Sequence, residues 1–149
     1  MNSYPDNLAY NENRLDFTFT IKGRNGREQK KVKFSKTEHL NAYNLALGTI
    51  KENGKVDYSE ITNSGDLVRL FSTIMNCIEL FLEKHPEQNI FFTGNTEQKT
   101  KVYQEILRRH YHSFSEKYHI FGIAEDEYIA TIEQFDSSKK YSGFIIKSK

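Results

Sequence analysis

Gly94, Asn95 and Thr96, followed by Lys99 and Lys101, are the residues of this chain whose types and spacing come nearest to an anion site. They follow the apolar run Ile90-Phe91-Phe92-Thr93 and precede a helical pattern that opens near Glu97, so the turn stands where a helix begins. A helix N-terminus presents unpaired backbone N–H groups and the positive end of its dipole, which together suit a phosphate or carboxylate. Lys99 and Lys101 add charge. An enzyme handling phosphoesters or nucleotides would use such a turn, with a nearby carboxylate, tyrosine or histidine as acid or base. The stretch lacks the phosphate-loop and dinucleotide glycine patterns, however, and Gly94 with Asn95 equally serves the backbone and capping needs of any strand-to-helix turn.

Two groups of cations suggest a different chemistry. Lys22, Arg24, Arg27, Lys30, Lys31, Lys33 and Lys36 are read as the outward face of a hairpin that carries the single acid Glu28. Arg108, Arg109 and His112 gather further along, with Lys101, Arg108 and His112 on one face of a helix and Glu105 between them. Both groups have the composition of a surface for nucleic acid phosphates or for an acidic protein partner. Each also has a plain structural use: lysines on exposed strands oppose edge-to-edge aggregation, and cations near a helix C-terminus are favoured by its dipole.

Metal and nucleophile chemistry find little footing. His110 and His112 are two apart and point about 200° away from each other on a helix, so with His119 they do not converge on one ion. No cofactor is expected. Cys77, the single cysteine, lies among apolar neighbours with no histidine close in sequence, which reads as a core thiol in a chain without disulfides. The acids Asp57, Glu60, Asp66, Glu125, Asp126 and Glu127 are candidates for a two-metal nuclease of ribonuclease H-like order. The first strand, whose inward face is Phe17 and Phe19, lacks the acid such a site needs.

The elements that must position these residues are legible from periodicity. Leu15, Phe17, Phe19 and Ile21 alternate with polar residues, Gly23-Arg24-Asn25-Gly26 supplies a turn, and a second strand brings Val32 and Phe34 inward. A second hairpin is expected from Tyr43–Ile50 and Val56–Thr62 around a type I′ turn at Asn53-Gly54. A helix capped within Asn63–Asp66 follows, with Leu67, Leu70, Phe71, Ile74, Ile78 and Phe81 on its apolar stripe, Arg69, Asn76, Glu79 and Glu83 nearer water, and an end before Pro86. Ile90–Thr93 reads as a central strand, and a second helix runs from Asn95 or Thr96 to about Tyr118. His119–Ile123 forms a strand joined to the central one by a right-handed parallel crossover. Tyr128–Ile132 returns as another strand, and Phe144-Ile145-Ile146 adds a final edge strand.

The 149 residues suit one domain, since a chain of this length buries about 70% of its unfolded surface. Eleven phenylalanines and nine tyrosines point to an aromatic core. Met1–Asn13 is a polar arm without the apolar centre of a secretory signal, and no window approaches the roughly 20 apolar residues of a membrane span. A soluble, cytoplasmic protein without a membrane partner is expected. The net charge of +1 favours no partner by itself and sets no oligomeric state.

Two stretches, Asn44-Leu45-Ala46-Leu47-Gly48 and Gly94-Asn95-Thr96-Glu97-Gln98-Lys99-Thr100-Lys101-Val102-Tyr103, resemble an uncharacterised small-protein family of bacteria found mostly among Bacteroidetes. The family's second motif reads Gly-Ser-Thr, two variable residues, Arg-Thr, one more, then Leu-Tyr. Here Asn95, Lys99 and Val102 depart from it, and Thr49 stands where an aspartate is common. The resemblance runs from about Leu15 to Tyr118 and implies a fold family and a bacterial origin, and no reaction.

The expected architecture is an α+β domain over residues 14–149 behind the arm 1–13, with a mixed, mainly antiparallel sheet in the order ββββ-α-β-α-ββ. Its function is not determined by the sequence. A non-enzymatic binding protein for nucleic acid or an acidic protein, as half of a bacterial two-gene system, is set against the phosphoester- or nucleotide-handling enzyme at Gly94–Thr96.

Overall fold

Phe17, Phe19 and Ile21 sit in every second position with polar residues between them, and in the computed structural model of the chain each is at most 2% exposed. A pleated strand sends alternate side chains to opposite faces, so this spacing commits one face of the strand to a core. The structure describes residues 7–23, 26–38, 41–58, 67–93 and 97–149. Along these run the strands β1 (Ala9–Tyr10), β2 (Asp16–Gly23), β3 (Gly26–Lys36), β4 (Ala42–Ile50) and β5 (Val56–Asp57), then helix α1 (Leu67–Lys84) and strand β6 (Asn89–Phe92). Helix α2 (Glu97–Phe114) and strands β7 (Tyr118–Glu125), β8 (Ala130–Gln134) and β9 (Gly143–Ser148) complete them. The fold is α+β with mixed, mainly antiparallel pairing; it adds β1 in the arm, and the three strands expected after the second helix are present as β7, β8 and β9.

The chain forms two compact units, one of Met1–Ser35 with Ala46–His85, the other of Lys36–Leu45 with Pro86–Lys149. In the first, β1, β2, β3 and the later half of β4 follow one another in hydrogen-bonded order, and β5 also pairs with β4. The β2–β3 hairpin pairs antiparallel as expected, with Phe17 opposite Val32 and Gly23 opposite Gly26. Its inner face meets α1, where Phe34 stacks on Phe81 with ring centroids 4.3 Å apart.

The turn after β4 differs from the expected type I′. Gly54 N–H donates to the Lys51 carbonyl at 2.9 Å, Lys51 N–H donates to that of Lys55 at 2.8 Å, and Gly54 takes φ +84°. A type I′ turn needs Asn53 at positive φ as well, and Arg14 is the non-glycine residue with positive φ among those described. Glycine alone therefore carries the left-handed position, as in a four-residue turn closed by a bulge. Beyond Tyr58 the expected strand to Thr62 and the cap at Asn63–Asp66 lie outside the described residues.

Helix α1 buries Leu70, Phe71, Ile74, Ile78 and Phe81 as the stripe requires, and Pro86, which has no N–H to donate, follows its end. Asn76 is not near water as expected: it is 6% exposed. Its neighbours Thr73, Met75, Cys77 and Leu80 are buried too, so the helix is covered on more than one side.

The second unit orders its strands β4-β6-β9-β7-β8. The early half of β4 runs parallel to β6, with Tyr43 opposite Ile90, and all other pairings of this unit are antiparallel. One expectation is corrected here. Phe144–Ile146 is not an edge strand, because β9 lies between β6 and β7 and pairs with both. β6 and β7 both run antiparallel to β9 and so parallel to each other, which makes β6-α2-β7 a parallel crossover as expected, with β9 between its strands. Residues 144–146 are apolar at every position, which suits a strand flanked on both sides, and Phe144 and Ile146 are fully buried. Helix α2 ends at Phe114, short of the expected Tyr118, which opens β7 and packs on Phe114 with ring centroids 4.6 Å apart. Phe92 meets Tyr103 of α2 edge-on at 5.1 Å and Phe144 at 5.4 Å, giving the aromatic core that the composition suggested.

Candidate functional site

The β2–β3 hairpin sorts its charges by strand parity. Opposite residues of an antiparallel pair share a face, so Phe17 with Val32, Phe19 with Lys30 and Ile21 with Glu28 all point inward. Lys30, read from sequence as outward, is 1% exposed and is removed from the binding face. Its Nζ donates to Thr49 Oγ1 at 2.7 Å and lies 3.0 Å from Glu28 Oε2. The latter contact has ion-pair length without hydrogen-bond geometry. The physical reason is plain in hindsight: positions 30, 32 and 34 have the same parity, and Val32 and Phe34 face the core.

Outward, the register places Lys22 opposite Arg27, Thr20 opposite Gln29, Thr18 opposite Lys31 and Asp16 opposite Lys33. Lys31 Nζ reaches Asp16 Oδ1 at 3.3 Å, an exposed pair of small worth. Lys22, Arg27 and Lys33 are exposed. Four cations, one acid and no apolar side chain thus occupy the outward rows of this hairpin. Lys36 is exposed at the end of β3, and Arg24 lies outside the described residues.

The cations of α2 are held differently. Glu105 Oε1 and Oε2 accept from Arg108, and Oε1 accepts from Arg109 Nε at 2.9 Å. The hydrogen bonds from Arg108 first, then from Arg109, hold the Glu105 carboxyl down at about 2. The two guanidiniums therefore share one carboxylate. His112 is exposed at the same helix end, and burial, then Arg109, lowers the pKa of His110.

The Gly94-Asn95-Thr96 turn lies outside the described residues. Of the lysines grouped with it, Lys99 is 6% exposed and faces the packed side of α2, while exposed Lys101 lies 3.9 Å from Glu97 one turn earlier. Among the described residues no three His, Cys, Asp or Glu side chains are grouped for a metal ion. Asp126, in the acidic turn, accepts the N–H groups of Tyr128 and Ile129 at 2.8 Å each, so it shapes the β7–β8 turn. Asp57 lies in β5, while Glu60 and Asp66 lie outside the described residues.

Sequence reasoning missed one surface. In the second unit Phe91, Ile145 and Phe121 stand in one row across β6, β9 and β7, and Ile123 and Ile132 stand two residues further along β7 and β8. All five point away from the face that α2 covers. The first four are half-buried and Ile132 is 56% exposed, with Tyr128 at 86% and Ile129 at 63% in the adjoining turn. Strand parity separates Phe91 from Phe92 and Phe121 from Gly122, and this parity is the signal that could have found the surface.

No curated protein and no solved structure matches the chain. A family model does match, over residues 1–149, which extends the likeness seen at the two short motifs to the whole sequence given. By that match the chain belongs to the family of unknown function DUF6934.

Proposed function

We propose that the protein is a non-enzymatic binding protein that takes nucleic acid on the outward face of the β2–β3 hairpin. The observation that carries the reading is the pair of outward rows in which Lys22, Arg27, Lys31 and Lys33 face one side against Asp16 alone. Cations on a two-stranded ribbon meet phosphates without base readout, so binding is tolerant of sequence and sensitive to salt. A bacterial, cytoplasmic setting belongs to this reading, as does a partner gene product that the complex would serve.

The test is fluorescence anisotropy of labelled single- and double-stranded RNA and DNA across a salt series. Charge reversal at Lys22, Arg27 and Lys33 together should flatten the salt dependence by about three phosphate contacts, a slope change of roughly 2–3 in log K against log salt. Lys30→Met should leave that slope unchanged, since its ammonium faces Thr49. Arg108→Glu should matter less than any hairpin reversal, because Glu105 already answers that guanidinium. Absence of binding at low salt would sink the proposal.

A further inference from the structure

The strand β8 ends the hydrogen-bonded order of the second unit, and among the described residues no strand pairs with its outer side. Its inner side is fixed by register: Phe135 N–H donates to the Ile120 carbonyl at 3.0 Å and Asp126 N–H donates to that of Ile129 at 3.0 Å. Backbone groups of an antiparallel strand point alternately to its two neighbours. Thr131 and Glu133, opposite Ala124 and Gly122, therefore bond to β7, and the N–H and C=O groups of Ala130, Ile132 and Gln134 point outward.

An unpaired edge is a template for another strand, and proteins that must avoid pairing guard it with lysine, proline or a bulge. The segment Ala130-Thr131-Ile132-Glu133-Gln134 has none of these. The opposite end of the strand order, β1, is only two residues long and offers little to pair with. The row next to β8 is apolar: Ile132 lies opposite Ile123 on the face away from α2.

We infer that β8 pairs antiparallel with β8 of a second copy of this chain, about a two-fold axis through Ile132. This register matches backbone groups, charge and side chains at once. Centred on Ile132, the pairing sets Ile132 against its own copy and Ala130 against Gln134, so that each outward N–H and C=O finds a complement. It also sets Thr131 beside Glu133, so no like charges oppose each other, and Glu133 is already answered within its own chain by Lys139 Nζ at 2.9 Å. The two Ile132 side chains meet on the open face and join the Ile123 row of both copies into one apolar strip. An extended peptide of another protein would complete the hydrogen bonds but would not inherit this symmetry of charge and side chain. The interface is at the small end for a specific contact, so the association belongs in the micromolar range.

The experiment is light scattering behind size exclusion on the full chain, from about 1 to about 500 µM, a span that brackets such a constant. The expected result is a concentration-dependent dimer. Ala130→Pro removes one outward N–H without touching a donor to β7, and Ile132→Lys sets two ammonium groups against each other at the axis. Each should raise the dissociation constant at least tenfold while far-UV circular dichroism stays that of the parent. Ile132→Cys supplies a readout that survives if those variants fold poorly. Across the two-fold its Cα atoms stand about 5.5 Å apart, so a short thiol-to-thiol bismaleimide should give a covalent dimer. Buried Cys77 does not compete. A chain that is monomeric throughout, a dimer unaffected by either substitution in folded protein, or no cross-link at position 132 would each overturn the inference.

Discussion

Replacing Thr49 by valine should expose how the buried ammonium of Lys30 is held. Lys30 is 1% exposed, and its Nζ has one hydrogen bond of 2.7 Å, to Thr49 Oγ1, beside the 3.0 Å ion pair to Glu28. Valine keeps the shape of threonine and deletes that acceptor. A hydrogen bond to a charged group contributes about 1.5–3 kcal/mol, and the ammonium left behind cannot regain water. In a chain of this size the loss corresponds to a fall of about 3–12 °C in Tm. Lys30→Met behaves otherwise. It removes the buried charge and keeps most of the volume, but it takes the counter-ion from Glu28 Oε2, a buried oxygen without a hydrogen-bond partner. Because the Glu28 side chain as a whole is 26% exposed, that variant should lose about 1–3 kcal/mol, less than a fully buried pair would. The combined test is a double-mutant cycle by urea denaturation followed by circular dichroism. Thr49→Val should cost little in the Lys30→Met background, which gives a coupling of about 1.5 kcal/mol or more. Equal cost of Thr49→Val in both backgrounds would refute the assignment of Lys30 to the core.

Other expectations concern three separate sites. Glu105, held at about 2 from its ordinary 4.5, adds stability that is fully present above about pH 4.5 and is lost as pH falls through about 2. At 34% exposure solvent screens the pairs, so the contribution is no more than about 1 kcal/mol, and Glu105→Gln should flatten stability across that acid window. Gly122→Ala would drive a Cβ into the ring of Tyr141, which packs directly over that glycine. It should destabilise by about 1–3 kcal/mol in thermal melts and reduce the near-UV tyrosine signal; a neutral result would mean the ring moves freely. Burial pushes the Cys77 thiol far above its ordinary range, so a thiol reagent should label it only at the rate at which the chain unfolds.

Much of the fold could be read from side-chain period because period is a local property. Phe17, Phe19 and Ile21 gave β2 its inner face, and Leu70, Ile74, Ile78 and Phe81 gave α1 its stripe. The same rule, applied strictly, places Lys30 with Val32 and Phe34; it was misplaced because residue type was weighed before parity. Strand order is another matter. Nothing within Phe144-Ile145-Ile146 says which strands flank it, since that depends on pairings made with Phe92 and Gly122 from distant parts of the chain. Nor does the sequence tell which strand remains at an edge, so Ile132 read as an ordinary strand residue. The candidate site was legible as composition and only partly as geometry: Lys22, Arg27, Lys31 and Lys33 share a face, whereas Arg108 and Arg109 are drawn onto Glu105.

The position of β9 between β6 and β7 also governs the order of events in folding. β6 can register against β9 only by bringing Asn89 to Lys147 and Phe92 to Phe144, a loop closure across all of α2, β7 and β8. Such a contact comes late, after the local β7–β8 hairpin and the helix, because its entropy cost is met before any pairing is gained. Until it forms, β6 and β7 both present unpaired backbone N–H and C=O groups, between apolar side chains, to other chains. The kinetic hazard of this protein therefore lies in the wait for residues 143–148, and aggregation during refolding should fall when that segment is supplied at high local concentration.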